Sequence, residues 1–294
     1  MPMDTTLSGM DSLARHWHTV ADSSRGRFDV ATSLIILGAG YTARVLFHPA
    51  SHHYNPVLAT SRDPDRHLNH LPSDHRILFD LAKPSTWKHI PPESDVIWCF
   101  PAVPLEFVKQ FSTALLQPPR RLVVLASTSA YTVGSSPDYP PPWIDETYPL
   151  DFRKPRVQGE EYLRSQCGAI VLRVAGIYGP GRNPLDWLRA GKVGPSRKYV
   201  NLIHVEDLAL ICLLALERGI PGEAYNVSDG TPRTWDNICE IAQRRWSVTP
   251  LVQKQNQEAG KRISNAKLTN GLNYKVRYSD LSEAMEIIEP QRRS

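Results

Sequence analysis

The sequence predicts an α/β protein built on a doubly wound parallel sheet, with a smaller C-terminal substrate lobe. Three observations carry that prediction. Short apolar runs recur as far as Ala175, segments with helical spacing lie between them, and the first run breaks into a glycine-rich turn. Parallel strands need a long return connection, so strands alternating with helices imply crossover units.

Ser33 to Leu37 (SLIIL) reads as a strand buried on both faces, because its apolar residues follow one another without alternation. Gly38-Ala39-Gly40-Tyr41-Thr42-Ala43 follows at once, a G-x-G-x-x-A pattern opening a helix over Tyr41–Phe47. Strand, glycine turn and helix in that order make a dinucleotide site the expectation, with an ordinary tight turn as the plainer alternative. Gly38 permits the turn, Gly40 lets the backbone approach a pyrophosphate, and Ala43 keeps the helix close to the strand. The amides of the first helical turn, from Tyr41 and Thr42 onward, face the anion.

Further strands are expected at Pro56–Ser61, Arg76–Phe79, Asp95–Phe100, Arg121–Ala126 and Ala169–Val174. Helical spacing marks Leu105–Leu116 and Arg156–Ser165. Gly176 to Arg197 is rich in Gly, Pro and Arg and reads as a loop region with one short helix. His204–Glu217, Trp235–Trp246 and Leu281–Ile288 read as helices and Glu223–Val227 as a strand. The domain expectation is a flexible extension over 1–30, a dinucleotide-binding domain over 31–175, and a mainly substrate-binding lobe with returning elements over 176–294. Met1 to Asp29 is polar and lacks a signal-peptide core. Pro137–Pro142 (PDYPPP) suits a loop near the site.

A chain of 294 residues suits one large α/β domain or a nucleotide domain with a smaller partner. The formal net charge of +4 is spread along the chain, which argues against a nucleic-acid ligand. No apolar run approaches the roughly 20 residues that span a bilayer. Cys99, Cys167, Cys212 and Cys239 form no C-x-x-C pair and read as thiols of a reducing, cytoplasmic compartment. The ten histidines scatter without H-E-x-x-H spacing, so no metal site is expected. The expected partner is a small-molecule substrate, with neither nucleic acid nor membrane, and a homodimer as the assembly considered.

The second strand ends at Thr60-Ser61-Arg62, with no carboxylate as its terminal residue to bond ribose hydroxyls. Arg62 offers a fork of donors to a 2′-phosphate, which makes NADP the expected cofactor, while Asp63 keeps NAD open. Asp80 ends the third strand and either accepts from the adenine amino group or caps the following turn. Ser127, Thr128, Ser129 and Tyr131 follow the fifth strand, where ligands bind in open α/β sheets. A hydroxyl there can donate to a substrate carbonyl, and the alternative is a turn bonding its own backbone.

These segments resemble the extended short-chain dehydrogenase/reductase superfamily, in the broad group of NAD-dependent epimerases and dehydratases. The matching residues are the glycine turn, S-T-S-A-Y at Ser127–Tyr131, and L-R-V-A-G-I-Y-G-P-G-R at Leu172–Arg182. N-L-I-H-V-E-D-L-A at Asn201–Ala209 and Y-N-V-S at Tyr225–Ser228 extend the match, and Lys261–Asn265 is similar to the tail of atypical members. The resemblance implies a Rossmann-type fold, an NAD(P) cofactor and an active hydroxyl at Ser127. It departs at the Tyr-x-x-x-Lys pair: aligning on Glu160 puts Phe152 where the phenol is expected and Arg156 where the lysine is expected. Phe cannot exchange a proton, whereas Arg156 can hold a ribose or phosphate. Tyr131, Tyr139, Tyr148 and Tyr178 are the phenols available as substitutes, and Arg182 lies near enough in sequence to meet an anionic substrate. His204 reads as a core histidine rather than a base, with Asp207 bracing its turn. The function implied is an NADP-dependent oxidoreductase or epimerase/dehydratase-like enzyme, against a non-catalytic NADP-binding regulator or scaffold.

Overall fold

The computed structural model describes residues 32–115, 118–132, 138–252 and 259–289. The expected extension over 1–30, Leu116 and Pro137 lie outside the described residues. In chain order the elements are β1 (Leu34–Leu37), α1 (Tyr41–Ala50), β2 (Val57–Ser61), α2 (Pro64–His67), β3 (Arg76–Leu78), β4 (Asp95–Trp98) and α3 (Leu105–Ala114). They continue with β5 (Arg121–Ser127), β6 (Trp143–Ile144), α4 (Pro155–Cys167), β7 (Ile170–Val174), β8 (Gly176–Tyr178) and α5 (Pro184–Arg189). Then come β9 (Tyr199–Val200), β10 (Leu202–His204), α6 (Val205–Arg218), β11 (Ala224–Val227), β12 (Arg233–Thr234) and α7 (Trp235–Trp246). β13 (Arg262–Ile263), α8 (Ala266–Gly271) and α9 (Leu281–Ile288) end the series.

The central sheet has seven strands in the order β11-β7-β5-β4-β1-β2-β3. This is the doubly wound, Rossmann-type α/β fold that the alternating runs predict. Two compact units divide the chain. The first comprises residues up to Phe100 together with Phe111–Leu122. In it β1 pairs in parallel with β2 and β4, and every residue of these three strands is buried. Such total burial explains why their sequences show apolar runs instead of alternation. Phe111 meets Phe79, Trp87 and Trp98 edge to face at 5.2, 5.4 and 5.8 Å between ring centroids. Asp95, fully buried, is matched by Arg120 at 2.5 Å and by the Tyr54 hydroxyl at 3.0 Å, which offsets the cost of burying its charge.

The second unit comprises Pro101–Gln110 and the chain from Val123 onward. Here β7 lies between β5 and β11, parallel to both. Helix α6 is buried from Val205 to Leu216 except at Glu206, so it is a core helix rather than a surface one. Short ladders complete the unit: β8 with β10, β9 with β12, and β6 with β13. From Val123 onward β5 groups with α4, β7 and the later residues, and β11 returns to pair with β7.

Candidate functional site

In the first unit, Gly38 takes φ +100°, a conformation that side chains rarely adopt, and its N–H donates to Thr60 Oγ1 at 3.0 Å. That bond ties the turn to the end of β2. Gly40 has an ordinary φ of −75°, and a Cβ placed on it would meet nothing within 4 Å. Helix α1 starts at Tyr41 with no side-chain cap and no acidic residue in its first turn. An open approach to amides carrying the positive end of a helix dipole fits a pyrophosphate.

At the end of β2 the three candidate groups separate. Thr60 and Ser61 are buried and Arg62 is exposed. Asp63 caps α2, its Oδ1 accepting from the Arg66 amide at 3.1 Å. Asp80 Oδ1 accepts from the Ala82 amide at 3.0 Å, so the turn-capping role is the one its geometry displays.

The second unit contains a cavity of about 550 Å³. Ser127, Thr128 and Ser129 form one wall, and Tyr148, Trp187, Tyr199 and Trp235 supply aromatic surface. Among the described residues its charged lining residues are Lys198 and Lys261, with no carboxylate. Ser127 Oγ accepts from the Ser129 amide at 3.1 Å, so this hydroxyl caps its own turn while facing the cavity. Accepting leaves its proton able to donate.

A strap from Ala259 to Ser264 crosses this wall, and its backbone is held along its length. Tyr199 N–H donates to Ala259 O at 2.8 Å, and Asn201 both donates to Lys261 O and accepts from Ile263 N–H at 2.9 Å. Ser264 N–H donates to Ile144 O at 2.9 Å. Lys261 Nζ then reaches the Thr128 carbonyl at 2.8 Å, beside Lys154 Nζ on the Ser129 carbonyl at 2.5 Å. Burial, with the charges of Lys154 and Lys198, pulls the Lys261 ammonium down to about 8. Sequence reasoning placed Lys261 only in a tail similar to that of atypical members; nothing local to it marks a neighbour at residue 128.

The remaining expected site residues lie elsewhere. Tyr131 is 1% exposed, donates to Asn226 Oδ1 at 2.5 Å and accepts from Arg173 Nη1 at 3.1 Å. In place of a cavity wall it occupies a core cluster with Ile144 and Ile263, and burial raises its phenol pKa. Tyr178 is likewise fully buried, against Leu185 and Trp235, and burial holds its phenol protonated. Arg156 is bound to the buried carboxylate of Glu160 at 2.8 Å, one helical turn on. Phe152 is exposed. Arg182 lines a separate hollow with Asp186, Arg189 and Lys192.

His204 caps α6, Nδ1 accepting from the Glu206 amide at 3.3 Å, and its ring lies 3.9 Å from that of Tyr278. Burial and the Arg277 charge push it down to about 3, so it stands neutral in the core. Asp207 braces a later segment than expected, accepting from the Tyr274 hydroxyl at 2.6 Å and from the amides of Arg277 and Tyr278 at 3.0 Å. Cys212 and Cys239 are buried free thiols. Among the described residues no helix is long and apolar enough to cross a membrane, and no cluster of three His, Cys, Asp or Glu could hold a metal.

No family model matches the chain. Over 126 residues it is 29% identical to Protein YeeZ of Escherichia coli strain K12, a stretch of 41% of this chain and 46% of that protein. The match therefore spans about half the length of that curated relative. A solved Methylobacillus flagellatus protein, assigned to the NAD-dependent epimerases/dehydratases, superposes with TM-score 0.73 at 21% identity over 90% of this chain and 100% of its own. RMD from Pseudomonas aeruginosa, solved with NADPH, gives TM-score 0.65 at 18% identity over 90% of this chain and 100% of its own. At these identities the likeness is one of fold. That fold is the one implied by the sequence resemblance.

Proposed function

We propose that the protein is an NADP-dependent enzyme of the atypical extended short-chain type, an oxidoreductase or epimerase/dehydratase-like catalyst acting on a small molecule. The observation that carries this reading is the helix start at Gly40, uncapped and open where a Cβ would stand. Gly38, Gly40 and the first-turn amides at Tyr41 and Thr42 would hold the pyrophosphate, and Arg62 the 2′-phosphate. A bound nicotinamide dinucleotide supplies a hydride donor or acceptor. In the second unit, Ser127 would donate to a carbonyl oxygen as charge develops on it, and Tyr148, Trp187, Tyr199 and Trp235 would pack the body of the ligand and shed water. Protein YeeZ adds no activity to this reading, whereas the NADPH of the Pseudomonas structure supports its cofactor.

The second reading, a non-catalytic NADP-binding regulator, draws support from one observation. Phe152 points to solvent and Arg156 is committed to Glu160, so neither position can run the proton chemistry of the usual pair. Both readings require dinucleotide binding. Calorimetric titration of NADPH into the protein is expected to show a single site. Gly40→Val places a branched side chain in the approach path and is expected to weaken binding at least about 100-fold, or roughly 2.7 kcal/mol. The protein should still fold, since a Cβ at this position meets nothing within 4 Å, with a modest fall in thermal midpoint because valine is a poorer N-cap than glycine. Equal affinity in a folded Gly40→Val protein would remove the reading. Oxidation of NADPH with any of a panel of carbonyl compounds then separates enzyme from regulator.

A further inference from the structure

A carbonyl reduction adds hydride at carbon and a proton at oxygen, and the second unit holds no phenol and lysine at the usual positions to deliver that proton. It does hold an amine. Lys261 lines the cavity and its ammonium sits on the Thr128 carbonyl at 2.8 Å, next along the chain from Ser127. Among the described residues no Asp or Glu lines the cavity to neutralise it.

The position of this amine is built into the fold. Gly260 takes φ +78°, and a Cβ on it would stand 2.3 Å from Tyr199 O and 2.8 Å from Tyr199 N. Only glycine lets the strap lie this close to β9. Immediately after it, Asn201 grips the backbone on both sides of Arg262, through Lys261 O and Ile263 N–H. The Arg262 guanidinium turns away, to the Trp143 ring at 5.1 Å and the Pro141 carbonyl at 2.6 Å. Of the two strap cations, Lys261 is the one left facing the hydroxyl turn.

We propose that Lys261 is the proton-transfer residue of this cavity, donating from its ammonium to the substrate oxygen held by Ser127 and recovering the proton in the reverse direction. The proposal rests on the functional reading above, with a reduced nicotinamide dinucleotide as the hydride donor. The carbonyl π pair moves onto oxygen, the N–H bond of Lys261 breaks, the O–H bond of the alcohol forms, and the amine takes a proton from water. The charged groups around it favour release. Lys154, from the start of α4, sits on the Ser129 carbonyl and 3.7 Å from Asp151, and Lys198 approaches from the loop before β9. Both cations oppose a third positive charge, and with burial they bring the ammonium near neutral pH, where an acid–base group is most efficient.

Two measurements test this. Competitive acetylation of the whole protein across a pH series, read by peptide mass spectrometry, should show Lys261 half-reactive near pH 8, against about 10.4 for a free lysine amide. A half-point at the free-lysine value overturns the proposal. The second measurement uses any carbonyl compound that the unmodified protein reduces. Lys261→Arg keeps a cation over Thr128 but cannot release a proton, so kcat should fall about 100-fold or more while KM changes less than about threefold. Alkylating Lys261→Cys with 2-bromoethylamine restores an amine of similar length and should restore most of kcat. A purely structural lysine would be replaced by Arg without that split, and full kcat in Lys261→Arg overturns this proposal alone. No turnover of any carbonyl compound by the unmodified protein overturns the functional reading, and this proposal with it.

Discussion

Gly40 and Gly260 both face a candidate ligand surface, and they are glycine for opposite reasons. Gly40 has φ −75°, which any residue adopts, and a Cβ placed on it would stand in open space with nothing within 4 Å. Gly260 has φ +78°, and its missing side chain lets Tyr199 come so near that a Cβ would overlap the Tyr199 carbonyl oxygen. The first unit withholds atoms to admit something from outside the chain. The second withholds them so that the chain can pack on itself and present Lys261. A glycine such as Gly40 that the backbone conformation does not require points to a ligand, whereas one that the fold does require, as at Gly38 or Gly260, tells about geometry only.

The largest expected effect falls on the second region. Once a substrate is in hand, Ser127→Ala should lower kcat about 10²–10³-fold, the loss typical of one donor to a developing oxyanion. Because Ser127 also accepts from the Ser129 amide, the same change should cost about 1 kcal/mol of stability as a lost cap. Steady-state kinetics beside a denaturant titration checks both numbers. Full turnover in Ser127→Ala would move the hydrogen-bond donor to another hydroxyl of the cavity wall, Thr128, Ser129, Tyr148 or Tyr199.

A smaller effect sharpens the contrast of the two glycines directly. Gly260→Ala must hold an L side chain at φ +78° and push Tyr199 aside, at a cost of about 2 kcal/mol. A fall in thermal midpoint of roughly 3 °C follows for a chain of this size. Gly40→Ala should shift the midpoint by no more than about 1 °C, since surface changes that touch nothing stay within ±0.5 kcal/mol. Equal midpoints for the two variants would erase the distinction between a held-open turn and a packed strap.

The same distinction governs what could be read from the sequence. Every part of the first region lies within one β-α-β segment, and its longest tie, Gly38 to Thr60, spans 22 residues. Its strands are buried on both faces, so apolar runs mark them within a residue or two. The cavity of the second unit is assembled from remote pieces: Lys261 meets Thr128 across 133 residues and Asn201 across 60. The ladders that carry those pieces, β6, β9 and β13, have two residues each, too few to show any period. Tyr131 and Tyr178 illustrate the cost. Each sits in a segment that matches a functional motif, yet a phenol's sequence position says nothing of which side of a strand end it takes, and both turn into the core. Lys261 had the reverse fate, a polar residue in a polar tail whose place only the strap's hydrogen bonds define.

The smallest effect probes the first region at its far edge. Asp63, the group that kept NAD open, spends a carboxylate oxygen on the Arg66 amide, while Arg62 is exposed at the end of β2. A capping carboxylate has less to offer ribose hydroxyls, and an exposed guanidinium remains available for a 2′-phosphate. Charge-assisted bonds contribute about 1.5–3 kcal/mol, and solvent screening at an exposed position favours the low end of that range. Arg62→Ala is therefore expected to weaken NADPH binding about tenfold and leave NADH within about twofold. Raising the salt concentration should narrow the gap between the two cofactors in the unmodified protein, because an exposed ion pair is screened while contacts to the shared pyrophosphate act equally on both. Superimposable NADPH and NADH titrations at low salt would show that Arg62 reads no phosphate, and would leave the Gly40 opening as the sole determinant of binding in this unit.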